Sequence, residues 1–248
     1  MRNNFVYTFQ YFPTSQNSNI NEAIILAGGL GTRLRNTVSG LPKCMAPING
    51  KPFIAFVIEY FQYQGVQQFI LSLGYMHDVI TNFITSNYSK KDFQFSIEEE
   101  PLGTGGAIKL ACRKASSENV FATNGDTIFK IDANKIADFH LQKKASCTLC
   151  LKPMKNFERY GVVELNENNA VKSFKEKQFY EYGLINGGFY SLNINDFLKI
   201  PLPEKFSFEK DYLEKFYTQG KIFGTVQDKY FIDIGIPADY ERAQNELK

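Results

Sequence analysis

The chain predicts an α/β fold: a doubly wound, mostly parallel (Rossmann-like) sheet with a small β-rich lobe attached. Three observations lead there. From residue 22 onward, short β-branched or aromatic runs alternate with helical patterns, as βαβ units require. A glycine-rich turn follows directly on the first run. After Lys152 the rhythm changes to closely spaced strands joined by polar turns.

Strands are expected at Glu22–Ala27, Gln67–Leu73, Phe93–Glu98, Asn119–Thr123 and Ala145–Leu151. Between the first two, Phe53, Phe56, Val57, Tyr60 and Phe61 recur at helical spacing, and 75–86, 104–115 and 133–143 also read as helices. Tyr160–Leu165 and Ala170–Phe174 flank the turn-forming Asn166–Asn169, which predicts a hairpin. Gly187–Leu192 and Lys221–Ile232 supply further strands, Ser207 is placed to cap a helix through Phe216, and a last helix starts at Pro237. Two halves follow, about 22–151 and 152–248.

Residues 1–21 form a separate N-terminal extension. Phe5, Tyr7, Phe9 and Tyr11 alternate strictly, which suits an added strand, while the polar stretch from Pro13 to Asn21 suits a disordered leader.

With 248 residues, 44% hydrophobic and 15% aromatic, the chain can bury a full core. Its 28 basic and 26 acidic side chains leave a net charge of +2, which argues against nucleic acid or an anionic membrane as a partner. Apolar runs such as Ala23–Ala27 and Phe53–Ile58 fall far short of the roughly 20 residues that cross a bilayer. No secretory signal pattern opens the chain, so a cytoplasmic location is the expectation. Cys44, Cys112, Cys147 and Cys150 are too few for a disulfide scaffold. Cys147 and Cys150 lie three apart on an expected strand and so point to opposite faces, against a redox or zinc pair. His77 and His140 read as ordinary helix residues.

The chemistry begins at Leu26-Ala-Gly-Gly-Leu-Gly-Thr-Arg-Leu34, where the first strand ends. In an open α/β sheet that is where ligands bind. Gly28, Gly29 and Gly31 let backbone N–H groups approach a polyphosphate, and Arg33 offers a fork of donors to its oxygens. A dinucleotide fingerprint would need glycine in place of Leu34, and a Walker loop would need Gly-Lys followed by Ser or Thr.

That loop, followed by Leu41-Pro-Lys-Cys-Met-Ala-Pro-Ile-Asn-Gly-Lys-Pro52, resembles the signature of the sugar-1-phosphate nucleotidyltransferases, and the resemblance spans residues 22–246. It implies that Leu26 and the loop glycines bind nucleotide and that Arg33 and Lys43 hold the triphosphate. Asp126, in Thr123-Asn-Gly-Asp126, and Asp233, in Phe231-Ile-Asp-Ile-Gly-Ile-Pro237, resemble the family's two magnesium-binding aspartates. Magnesium (Mg2+) is therefore the implied cofactor, and two carboxylates plus phosphate oxygens suit it.

Glu98-Glu-Glu-Pro-Leu-Gly-Thr-Gly-Gly-Ala107 resembles the base-recognition segment, which assigns Glu100 and Gly105 to the nucleotide. An ionised carboxylate only accepts hydrogen bonds, and guanine offers two adjacent donors where uracil and thymine offer one between two carbonyls. GTP is the nucleotide this implies, unless Glu100 belongs to a solvated acidic run. Phe157–Glu164, Phe174–Lys177 and Leu184–Gly188 resemble the acceptor half in order and spacing. By that resemblance Glu176 binds sugar hydroxyls, Lys177 the sugar phosphate, and Gly161 and Asn186 the sugar ring.

Within the family the chain is most similar to guanylyltransferases acting on a heptose 1-phosphate for bacterial surface polysaccharides. Mannose 1-phosphate is the alternative acceptor, and a catalytically silent sugar-nucleotide-binding regulator the alternative of another class. A homo-oligomer is compatible with the sequence.

Overall fold

A computed structural model describes residues 20–29 and 40–247. The expectations for the aromatic leader, for Gly31 and for Arg33 lie outside the described residues.

The first half alternates as its sequence predicts. It runs β1 (Glu22–Leu26), the short pair β2 (Pro47–Ile48) and β3 (Lys51–Pro52), α1 (Phe53–Tyr63), β4 (Gln68–Leu73), α2 (His77–Asn87) and β5 (Phe93–Ile97). There follow α3 (Gly103–Cys112), β6 (Asn119–Asn124), β7 (Thr127–Phe129) and α4 (Ala133–Lys143). β1 lies between β4 and β6 and pairs with both in parallel, and β5 adds in parallel outside β4. The chain thus builds outward from β1 to β5 and returns to β6 on the other side of β1. Neighbouring strand ends at such a reversal diverge and leave a crevice.

Both faces of this sheet are covered, which explains why β1 is apolar from Ala23 to Leu26 rather than alternating. Ile25, Phe69, Leu71 and Phe121 face a core shared with α1, α2 and α4. Ile24, Ile70, Val120 and Ala122 face a second core containing Ile108 and Ala111 of α3. Cys150 belongs to the first core and Cys147 to the second, on opposite faces as their spacing requires, and both are buried free thiols.

The second half adds β8 (Cys147–Phe157), β9 (Val162–Leu165), β10 (Val171–Lys175), β11 (Tyr180–Asn193) and α5 (Ile194–Lys199). Next come a π-helical segment (Phe208–Leu213), α6 (Glu214–Phe216), β12 (Ile222–Val226), β13 (Phe231–Asp233) and α7 (Pro237–Glu246). β11 runs antiparallel to both β6 and β8, so one nine-stranded sheet passes through both halves. Ser207 caps its helix by accepting the Lys210 N–H at 3.2 Å, but the segment it opens is π-helical before it becomes α. The predicted strand Lys221–Ile232 is two strands. β12 pairs with β8, and residues 227–230 carry the chain across to β13, which pairs with β7.

His140 is an α4 residue buried to 1% exposure. His77 is the first residue of α2 and also lines a cavity.

Candidate active site

A cavity of about 810 Å³ opens at the carboxyl ends of β1, β4, β5 and β6. Leu26, Gly28 and Gly29 line it on one side and Glu98, Glu100 and Thr104 on another, with Lys43, Asn124, Asp126 and Gly235 beside them. The fold's point of reversal is therefore where the phosphate-loop residues and the Asp126 strand end meet.

Gly28 is required by more than ligand approach. A Cβ there would lie 2.9 Å from Glu98 Oε1 and 2.9 Å from the Gly74 nitrogen, so any larger residue would displace the cavity wall. The Tyr75 N–H donates to the Gly28 carbonyl at 3.4 Å, linking the β4 turn to the loop.

Lys43 stands in a single 3-10 turn, Lys43–Met45, anchored by buried Cys44 and Met45. Its Nζ donates to Asp126 Oδ2 at 2.5 Å and to Asp233 Oδ1 at 3.4 Å. The aspartates are 107 residues apart in sequence, as 233 less 126, and the β7–β13 ribbon brings them together. Asp233 is in register with Thr127, and the Ile234 N–H donates to the Asp126 carbonyl at 3.1 Å. Gly235 completes the arrangement: its N–H donates to Asp233 Oδ1 at 2.8 Å, and a Cβ would come within 3.1 Å of Lys43 Nζ.

The aspartate side chains retain 31% and 25% exposure. Two converging carboxylates with no nitrogen or sulfur ligand fit a hard cation that takes its other oxygens from phosphate and water. Among the described residues no cluster of three or more His, Cys, Asp or Glu would cage a metal by protein groups alone.

Glu98 lines the cavity although the sequence reading did not single it out. Half-buried, it accepts the Leu102 N–H at 3.0 Å through Oε2, while Oε1 lies against Gly28 and Gly74. Loss of water raises its pKa, offset in part by the Leu102 N–H. Glu100 is exposed at the cavity rim. The usable signal was position, since Glu98 directly follows β5 and so inherits the strand-end location. Gly105 does not line the cavity. It packs under Phe206, whose ring a Cβ would meet at 2.2 Å, and its N–H donates to the Phe206 carbonyl at 3.0 Å. The glycine there fits α3 against the 200–206 segment.

The acceptor candidates are not among the residues lining that cavity. Strand register gathers three of them: Val162 pairs with Lys175 on one side and Ile185 on the other. Gly161, Glu176 and Asn186 each stand one residue from that rung. Glu176 and Lys177 are exposed in the turn after β10. Asn186 is held by side-chain bonds, its Oδ1 accepting the Gly188 N–H at 3.0 Å and its Nδ2 donating to the Tyr190 hydroxyl at 2.7 Å. Tyr160, beside Gly161, packs edge-on against Phe231 with ring centroids 6.2 Å apart, which sets the acceptor rung against the strand that carries Asp233.

A glycine turn at the end of β1, a lysine between two aspartates and an adjoining antiparallel lobe are what an α/β nucleotide-transferring protein would present at its sheet crevice. Residues 22–248 match the nucleotidyl transferase family, and the chain belongs to it. It is 53% identical over 227 residues to D-glycero-alpha-D-manno-heptose 1-phosphate guanylyltransferase of Aneurinibacillus thermoaerophilus, covering 92% of this chain and 98% of that one. The protein of the same name from Campylobacter jejuni is 46% identical over 219 residues, covering 88% and 96%. Among solved structures, HddC from Yersinia pseudotuberculosis superposes with a TM-score of 0.83 at 40% identity, over 92% of this chain and 100% of that one. A structure of HddC complexed with GMP-PN gives 0.81 at 38% identity and the same coverage.

Proposed function

We propose that this protein transfers GMP from GTP to D-glycero-α-D-manno-heptose 1-phosphate, releasing pyrophosphate and giving GDP-heptose for surface polysaccharide synthesis. The observation that carries nucleotidyl transfer is the meeting of Lys43, Asp126 and Asp233 beside a cavity that also contains the phosphate-loop glycines. The two heptose 1-phosphate guanylyltransferases aligned over nearly their whole length support the choice of nucleotide and sugar.

In the reaction an acceptor phosphate oxygen bonds to the α-phosphorus, and the bond from that phosphorus to the bridging oxygen of pyrophosphate breaks. The attacking phosphate is already anionic at neutral pH, so no general base is needed, and the work is positioning and charge compensation. Backbone groups at Gly28 and Gly29 approach the triphosphate, and Lys43, with Arg33, offsets charge on the departing pyrophosphate. Asp126 and Asp233 would hold magnesium, which would neutralise phosphate charge. Lys177 receives the acceptor phosphate, while Glu176, Gly161 and Asn186 face the sugar.

Guanine's N1–H and exocyclic amine meet the acidic side of the cavity. Glu98 is the stronger reader of the two carboxylates there, because hydrogen bonds to a half-buried acceptor compete less with water than those to exposed Glu100.

Pyrophosphate release with GTP, magnesium and heptose 1-phosphate tests the reading. Turnover is expected with heptose 1-phosphate well above that with mannose or glucose 1-phosphate. Turnover favouring mannose 1-phosphate would reassign the acceptor, and none with any sugar phosphate would identify a binding protein.

A further inference from the structure

Glu209 lies in the π-helical segment, outside the cavity lining and the acceptor rung, yet its carboxylate bonds Thr104 of the cavity lining and, through Tyr190, reaches Asn186 beside that rung. Oε2 accepts the Thr104 hydroxyl at 2.8 Å and the Ser207 hydroxyl at 3.1 Å. Oε1 accepts the Tyr190 hydroxyl at 3.4 Å, and that phenol oxygen accepts Asn186 Nδ2 at 2.7 Å. Thr104 Oγ1 in turn accepts the Phe208 N–H at 2.9 Å.

The polarity of this chain is fixed. An ionised carboxylate only accepts, so the Thr104 and Tyr190 protons point at Glu209 and their oxygens receive Phe208 and Asn186. Tyr190 is 2% exposed, which shields the link from competing water. With Gly188 on Oδ1 and Tyr190 on Nδ2, the Asn186 amide cannot flip without losing both bonds. At the other end, Thr104 belongs to the first turn of α3 on the nucleotide cavity wall. One carboxylate therefore fixes a side chain on each side of the reaction.

We propose that Glu209 is a positioning residue that couples the two substrate sites, holding the Thr104 hydroxyl on the nucleotide side and, through Tyr190, the Asn186 amide on the acceptor side. The proposal rests on the reading of Asn186 as a sugar-binding residue. Glu209→Gln keeps the bulk but leaves one acceptor oxygen where the carboxylate presents two oxygens to three hydroxyl donors, so it weakens the chain.

The test measures KM for sugar phosphate and for GTP, kcat, and the thermal unfolding midpoint, for Glu209→Gln, Tyr190→Phe, Asn186→Ala and the Glu209→Gln/Asn186→Ala pair. Glu209→Gln is expected to raise acceptor KM about tenfold and GTP KM about threefold, the scale of one or two lost hydrogen bonds to a charged group. Tyr190→Phe cuts only the acceptor branch, so it raises acceptor KM and leaves GTP KM unchanged even if Glu209→Gln folds poorly. The double variant should match Asn186→Ala alone in acceptor KM, since the two act through one group. If Asn186→Ala raises acceptor KM while Glu209→Gln and Tyr190→Phe do not, or the effects simply add, the coupling is wrong and the sugar assignment stands. An unchanged acceptor KM in Asn186→Ala overturns both.

Discussion

The nucleotide and acceptor halves are built to different standards of enclosure. On the nucleotide side, parallel strands covered on both faces end together, and Gly28, Glu98, Lys43 and Asp126 are held by packing or by charge. On the acceptor side, antiparallel strands present Glu176 and Lys177 in an exposed turn, while the Asn186 side chain is held by Gly188 and Tyr190. The contrast teaches that, on the proposed assignment, the described residues of the nucleotide site are held in place by the fold, whereas the groups proposed to meet the sugar phosphate are exposed on a hairpin.

Substitutions should separate along the same line. The largest loss is expected at the aspartates: Asp126→Asn or Asp233→Asn should lower kcat about a hundred- to thousandfold. Steady-state pyrophosphate release over a magnesium titration checks this, with the variants needing more metal. Next, Lys177→Ala should raise acceptor KM about tenfold, the loss of one charge-assisted contact, with GTP KM unchanged. A rise in GTP KM instead would erase the distinction between the halves.

Smaller and more diagnostic is base selectivity. Glu98→Gln should reduce the preference for GTP over UTP about tenfold and Glu100→Gln should do less, as competition assays would reveal. The reverse order would move base reading to the rim.

The smallest effect concerns stability and sits in the scaffold. His140 is buried between the Thr148 hydroxyl on Nδ1 at 3.0 Å and Asn119 Oδ1 on Nε2 at 3.2 Å, an arrangement suited to the neutral ring protonated on Nε2. Burial lowers its pKa to about 4 from the ordinary 6.5. The unfolded chain therefore binds the extra proton first as pH falls. Its contribution is full above about pH 6.5 and is lost progressively towards about pH 4, with a slope of at most about 1.4 kcal/mol per pH unit. Urea midpoints at pH 7.5 and pH 5 should differ less in His140→Gln than in the parent, with kcat at pH 7.5 unchanged.

Much of this was legible in the sequence, for identifiable reasons. β1, β4, β5, β6 and α4 carry strong local patterns, and their boundaries fall within a few residues of expectation. Asp126 and Asp233 were singled out by the resemblance of their segments to the family pattern, and the β7–β13 pairing that brings the two together has no local signal in the sequence. The inward placement of Glu98 was not legible, because three adjacent glutamates look alike in sequence and only the packing against Gly28 and Gly74 sets the first of them apart. The packing of Gly105 under Phe206 was not legible, because the two are 101 residues apart, as 206 less 105, and no local pattern links them. The break in Lys221–Ile232 was hidden for a similar reason, since β12 and β13 pair with strands far away in the chain.

The most direct test offers the protein equimolar GTP, ATP, UTP and CTP with magnesium and excess D-glycero-α-D-manno-heptose 1-phosphate, and identifies the nucleotide sugar by mass spectrometry. GDP-heptose as the dominant product, formed in step with pyrophosphate, is the result expected. A different nucleoside diphosphate heptose as the main product, or pyrophosphate without any sugar nucleotide, would contradict it.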